Sequence, residues 1–250
     1  MAEPVKDRVI MKLRDSNEYY GPFGKQFLSF SDIITLLKDP REFRKPKTPT
    51  TPMIMGSYLH SKILEPHMAA KYVVVDATTR NTKFYKESVA ATKEPMLLLK
   101  KEQEHLDYLC DCITQNMALC DIIYHKDNFF EEPGITLIGD TTWKGRADIV
   151  NKERIVDIKT TASLDDFKRS CYKYNYDSQA FLYQKMFGVP MHFLVVEKNT
   201  GRTAFTEDGC SEVFLRSGEE KVYKALEIYN KFFSDNPTED LEQFYINLQL

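Results

Sequence analysis

Gly145-Arg146-Ala147-Asp148-Ile149-Val150, then Asn151-Lys152-Glu153-Arg154, then Ile155-Val156-Asp157-Ile158-Lys159-Thr160-Thr161 is the stretch that decides the fold. Its apolar and β-branched runs flank a short polar break, the pattern of two strands joined by a tight turn. A hairpin centred on Lys152-Glu153 sets Asp148 directly opposite Asp157, about 5 Å apart on one face. Lys159 lies two residues beyond Asp157 and shares that face. Facing carboxylates among Ile149, Val150, Ile155, Val156 and Ile158 repel one another and lose hydration. A hard divalent cation, Mg²⁺ or Mn²⁺, removes the conflict, because oxygen ligands suit it. An ammonium beside such a site can orient a water and offset charge growing on a phosphoryl oxygen. The bland reading of an Asp-x-Lys hairpin is an exposed ion pair. The apolar flanks and the matched register of Asp148 set this one apart.

Downstream, a capped helix is predicted near Ser163 to Ser170, and another from Tyr176 to Phe187, stopped by Gly188 and Pro190. On the second, Gln179 and Tyr183 are four apart and share a face. Strands follow at Met191 to Glu197 and Arg202 to Thr206, and a last long helix spans Glu212 to Phe233. Upstream, Ile135 to Ile138 reads as a further strand. Before it, residues 96–123 carry Leu106, Leu109, Ile113, Met117 and Cys120 on one helical stripe. Met53 to Leu64 is a helix ended by Glu65-Pro66, Tyr72 to Val75 is a short β-branched run, and Phe30, Ile33, Ile34 and Leu37 recur at helical spacing after a capping serine. Residues 1–28 read as an irregular arm rich in charge and tyrosine. The order predicts an α/β fold in a single domain over residues 29–250. Residues 29–125 form its mainly helical N-terminal part, and residues 126–250 carry a mixed central sheet flanked by helices.

The chain has 250 residues with a formal net charge of −3, 42% hydrophobic and 28% charged. That is ordinary globular composition, long enough for a sizeable core. No apolar run approaches the roughly 20 residues of a membrane span, and the charged stretch Met1 to Arg14 holds no apolar segment of a secretory signal, so the cytoplasm is the expected compartment. The five cysteines are expected to be free thiols. A protein holding nucleic acid by charge alone would be basic. An acidic balance therefore argues mildly against a general coating protein, and does not exclude an enzyme whose metal site is itself acidic.

Gly-Arg-x-Asp, then Asp-x-Lys-Thr, then Gln-x-x-x-Tyr, preceded by Gly56-Ser57-Tyr58-Leu59-His60 with Ile63-Leu64-Glu65-Pro66, resembles the RecB-type and RecE-type branch of the PD-(D/E)XK nuclease superfamily. Ser29-Phe30-Ser31-Asp32 with Asp39-Pro40 is similar to the opening helix of RecE-like nucleases. The likeness spans roughly residues 29 to 197, and the ordered set is far more specific than any one motif. It implies a restriction-endonuclease-like core. It makes His60, Asp148, Asp157 and the backbone carbonyl of Ile158 metal ligands, Lys159 the catalytic lysine, and Gln179 and Tyr183 the groups that position the DNA phosphate and the site. An acid on the preceding strand also belongs to the pattern, and Glu131 fits better than Glu132. Arg146, Thr160 and Lys173 would touch substrate, and Lys168 and Arg169 could track a DNA backbone. Ala147 stands where the superfamily's namesake proline would be. Some relatives bind an iron–sulfur cluster with four cysteines, one before the histidine motif and three after Gln-x-x-x-Tyr. Here only Cys210 follows Tyr183 and none precedes His60, so no cluster is expected.

By this resemblance the expected activity is a Mg²⁺- or Mn²⁺-dependent exonuclease acting on double-stranded DNA ends in recombination or repair. Homo-oligomeric rings and a single-strand annealing partner are further implications of the family. The competing readings are an endonuclease of the same superfamily and a non-catalytic DNA-binding protein on the same fold. The presence of His60, Asp148, Asp157 and Lys159 together argues against the last.

Overall fold

A computed structural model describes residues 3–92 and 94–244. The hairpin forms as its sequence dictates. Asn151 turns the chain, its Oδ1 accepting from the backbone N–H of Glu153 and of Arg154 at 2.8 and 3.0 Å. Val150 then pairs with Ile155 and Ile149 with Val156. The register thus sets Asp148 across from Asp157, but regular pairing ends one step earlier and the strands part there.

These strands sit inside a five-stranded mixed sheet in chain order: β3 (Phe129–Ile138), β4 (Thr141–Val150), β5 (Ile155–Thr161), β6 (Met191–Glu197) and β7 (Thr203–Phe205). All pairings are antiparallel except β5 with β6, which is parallel. That parallel pair needs a crossover, supplied by α9 (Phe167–Lys173) and α10 (Tyr176–Phe187). Val74–Val75 (β1) and Leu98–Leu99 (β2) make a separate two-stranded parallel sheet.

Alternation along β6 separates two cores. Met191, Phe193 and Val195 pack with α10, with α3 (Phe30–Lys38) and with α11 (Glu212–Phe232), around fully buried Trp143. Leu194 and Val196 pack instead with α4 (Thr51–Leu64), α7 (Lys100–Thr114) and α8 (Met117–Ile123). Buried on both faces, β6 reads as a near-continuous apolar run in sequence, unbroken over Phe193 to Val196. Helix α10 lies flat on the sheet because Gly134 and Gly145 face each other beneath it. A Cβ at Gly145 would stand 2.7 Å from the Tyr183 ring. Asp177, fully buried at the start of α10, is matched by Lys221 at 2.8 Å and Ser217 Oγ at 2.7 Å from α11.

Three expectations are corrected. The arm is not irregular, since it folds into α1 (Glu3–Leu13) and α2 (Ser16–Tyr20), and Leu13, Tyr19 and Phe27 pack on Ile135 of β3. The helix read over residues 96–123 is two, because the Asn116 side chain caps a fresh start by accepting from Ala118 and Leu119 N–H. A helix not anticipated, α6 (Lys83–Thr92), follows the short α5 (Pro66–Ala69) and packs Tyr85 against Leu97 and Leu99.

Candidate active site

The parting of β4 and β5 makes the site. Asp148 fills the gap, and its Oδ2 accepts the Ile158 N–H at 2.8 Å in place of a ladder partner. From one side of the sheet His60 on α4 reaches the same point. Its Nδ1 lies 3.2 Å from Asp148 Oδ2 and its Nε2 2.8 Å from the Ile158 carbonyl oxygen. Burial alone would lower the His60 imidazole, but Asp148 and Asp157 outweigh it and lift it to about 9. Burial likewise would raise Asp148, yet His60 and Lys159 hold it below the ordinary carboxylate range. A charged imidazole ring therefore donates from both nitrogens to the two oxygens.

From the other side comes α10. Gln179 Nε2 donates to Asp157 Oδ1 at 2.5 Å, and Lys159 Nζ stands 2.5 Å from Asp157 Oδ2. Burial works against the Lys159 charge, but Asp157 more than compensates and the ammonium is held.

Glu131 completes the cluster. It sits on β3 opposite Asp148 of β4, and its φ turns to +48°, a left-handed conformation inside a β-strand. Pairing is interrupted there, between Phe130↔Ile149 and Glu132↔Ala147. The kink turns Glu131 into the site, where burial and the nearby Asp148 push its carboxyl up to about 7. Glu132 points elsewhere and pairs with Arg14. Of the two glutamates, Glu131 is the one that lies with His60 and Asp148.

Donor atoms of His60, Glu131 and Asp148 lie within 4.8 Å of one another. Two carboxylates, an imidazole and the Ile158 carbonyl form a donor set that suits Mg²⁺ or Mn²⁺. The oxygens of Asp148 and Ile158 already converge on a positively charged ring, so the residues present fit a cation. Asp157 stands beside this group, with its two oxygens directed at Gln179 and Lys159.

Other residues singled out by the sequence are placed differently. Tyr183 Oη donates to the Arg146 carbonyl at 3.1 Å and so braces β4. The Arg146 guanidinium is engaged by the arm: it bonds Ser16 Oγ and the Leu13 carbonyl at 3.2 and 3.1 Å and lies 4.1 Å over the Tyr19 ring. Thr160 is half-buried on β5, and Lys168, Arg169 and Lys173 are exposed on α9.

Above the cluster opens a cavity of about 510 Å³, with Tyr20 of the arm on one wall and Ser57 and Ser61 of α4 on another. A second hollow of about 460 Å³ adjoins it and shares Tyr20, Ser29, Ser31 and Lys144. Lys25, Arg44, Lys45, Lys47 and Lys144 line this hollow with Asp32 as its single acid. Burial and the neighbouring cations lower the Lys144 ammonium to about 8. Sequence reasoning missed this concentration, because its members come from the 24–47 loops and β4 and form no run.

A mixed sheet with helices on both faces, an Asp–Asp–Lys cluster at the parting of two strands and a histidine from a preceding helix define the PD-(D/E)XK type of fold. The chain belongs to the family described as PDDEXK-like domain of unknown function (DUF3799), whose model matches residues 26–237. No curated protein matches it. Among solved structures it is similar to a "Putative exonuclease" from Eubacterium rectale, with a TM-score of 0.62 and 16% identity, covering 86% of each chain. A more distant likeness is to SSO0001, at a TM-score of 0.31 and 16% identity over 70% of this chain and 88% of that one.

Proposed function

We propose that this chain is a metal-dependent deoxyribonuclease that removes nucleotides from the ends of double-stranded DNA. The observation that carries the reading is the clustering of His60, Glu131 and Asp148 from α4, β3 and β4 below an open cavity, with Asp157, Lys159 and Gln179 joined to one another beside them. His60, Glu131, Asp148 and the Ile158 carbonyl would hold the cation, with Asp157 turning from Lys159 to join them. The cation would supply a Lewis acid for a phosphodiester oxygen and acidify a water. Lys159 would direct its ammonium at the water and at the phosphoryl oxygens, where negative charge grows. Gln179 would keep its hold on one Asp157 oxygen while the other turns, and Tyr183 braces the strand that carries Asp148. The basic hollow offers a path for a phosphate backbone despite the net charge of −3.

The family resemblance adds the finer proposals. They are a role in DNA recombination or repair in the cytoplasm, a ring of identical subunits around the duplex, and a single-strand annealing protein as partner. No helix among the described residues is long and apolar enough to cross a membrane.

The test is to incubate the protein with end-labelled linear duplex and with covalently closed circles of the same sequence. Mg²⁺ should release nucleotides from the linear form, EDTA should stop the release, and circles should survive. Full activity in EDTA overturns the metal mechanism, and equal cutting of circles replaces exonuclease with endonuclease.

A further inference from the structure

Lys159 has two contacts that fix its ammonium. One is Asp157 Oδ2 at 2.5 Å, and the other is the ring of Tyr176, whose centroid lies 4.5 Å from Nζ. Tyr176 is the first residue of α10, and its position is set by Asn175, which takes a left-handed conformation at φ +59°. Asparagine adopts that conformation at low cost. The ring is held from behind by Phe193 at 5.9 Å and Phe167 at 6.4 Å between centroids. The Tyr176 hydroxyl makes no hydrogen bond to another described residue, so the ring face is what this side chain gives its neighbour.

The two contacts differ in what a cation would do to them. Asp157 is a proposed ligand, and an oxygen that turns to a divalent ion gives up most of its hold on the lysine. The ring is not among the proposed ligands, so a cation does not draw it away from Lys159. Without it, a four-carbon side chain with freely rotating bonds would leave the reaction point at the moment it is needed.

We infer that Tyr176 is a positioning residue whose ring face keeps the Lys159 ammonium at the reacting phosphate once Asp157 has turned to the cation. This rests on the metal-dependent nuclease reading. Its effect belongs in the chemical step, because the ring acts on Lys159 and lies outside the residues proposed to grip DNA or metal.

Two measurements test it. In [13C]lysine-labelled protein, the ε-methylene signal of Lys159, assigned by its loss in Lys159→Ala, should be shifted upfield by the ring. The shift should persist when Mg²⁺ is added, and should be absent in Tyr176→Leu. Loss of the shift on adding Mg²⁺ to the unaltered protein overturns the inference, whatever the activity. The second measurement replaces Tyr176 by Phe and then by mono-, di- and trifluorinated Phe, which drain the ring face of charge while preserving its volume. Tyr176→Phe should match the unaltered protein. Along the fluorinated series kcat should fall stepwise, on the order of tenfold in all, with KM unchanged. A flat series in an active enzyme refutes the positioning role. Absence of cleavage even by the unaltered protein refutes the nuclease reading instead, while the lysine signal still decides the ring contact.

Discussion

His60, Glu131, Asp148, Asp157 and Lys159 divide into two neighbouring groups by what they touch. His60, Glu131 and Asp148 face one another, whereas Asp157 is held by Lys159 and Gln179. Calorimetric Mn²⁺ titration separates the roles. Asp148→Asn and Asp157→Asn should each weaken binding by about tenfold or more. Lys159→Ala should leave Mn²⁺ affinity within about twofold while lowering kcat by roughly a hundredfold, the scale of losing one charge-stabilising donor. Equal loss of metal affinity in Lys159→Ala and Asp157→Asn would contradict the assignment. In a Mn²⁺ crystal a His60 ring nitrogen should approach the ion to about 2.3 Å or less. That requires the ring to shed a proton and release either Asp148 or the Ile158 carbonyl, so metal uptake should release protons to the buffer.

The elements deliver these residues through a few joints, and Glu197 is one that can be tested alone. At the end of β6 its carboxylate takes Arg202 twice at 3.0 Å, Thr200 Oγ1 and the Leu164 N–H, tying the β6–β7 turn to the approach of α9. The hydrogen bonds from Arg202, then Thr200 and Leu164, pull its pKa from 4.5 to about 2. A depressed carboxylate stabilises the fold fully above its unfolded pKa, and that contribution is lost as pH falls toward the folded value. Glu197→Gln should therefore melt below the unaltered protein at neutral pH. The gap in Tm should close between about pH 4.5 and pH 2. A gap that is constant with pH would mean the carboxylate charge contributes nothing.

Legibility also divides by element. The hairpin could be read because Asn151 supplies its turn and alternation fixes its register. Helix α10 could be read because Gly188 ends it in the left-handed conformation. Helix α6 was missed because its one buried residue, Tyr85, leaves no apolar stripe. Helix α1 was missed because Val9, Ile10 and Leu13 are scattered among charges and find their partners on Ile135 of β3 and on Tyr19, Phe23 and Phe27. The histidine, the aspartates and the lysine could be read as an ordered motif. The turning of Arg146 into an arm clamp could not, because a stacking contact between distant segments leaves no local pattern.

Over the whole molecule, the acidic balance and the basic hollow pull in opposite directions. If the hollow carries the DNA backbone, Lys25→Ala, Lys45→Ala and Lys47→Ala combined should weaken binding without metal. The slope of log K against log salt should become shallower by roughly 0.9 for each phosphate that is no longer neutralised. If subunits also encircle DNA, salt should slow loading far more than it shortens a run already begun. Enzyme preloaded on a long duplex, then given Mg²⁺ with excess competitor DNA at two salt concentrations, should release similar lengths at both. Immediate arrest by the competitor would point to a distributive enzyme.

The kink at Glu131 has a price in fitness that an engineer would meet first. A non-glycine residue at positive φ is strained by about 1 kcal/mol or more, and here its carboxyl is also crowded against Asp148. Both costs vanish in Glu131→Gly, so a library screened only for heat resistance should enrich that change: Tm equal to or above that of the parent, Mn²⁺ affinity well below it. The wild-type glutamate would then mark a place where selection for cleavage has overruled selection for durability. A lower Tm for Glu131→Gly would show that the kink is relaxed and that no such conflict was ever resolved there.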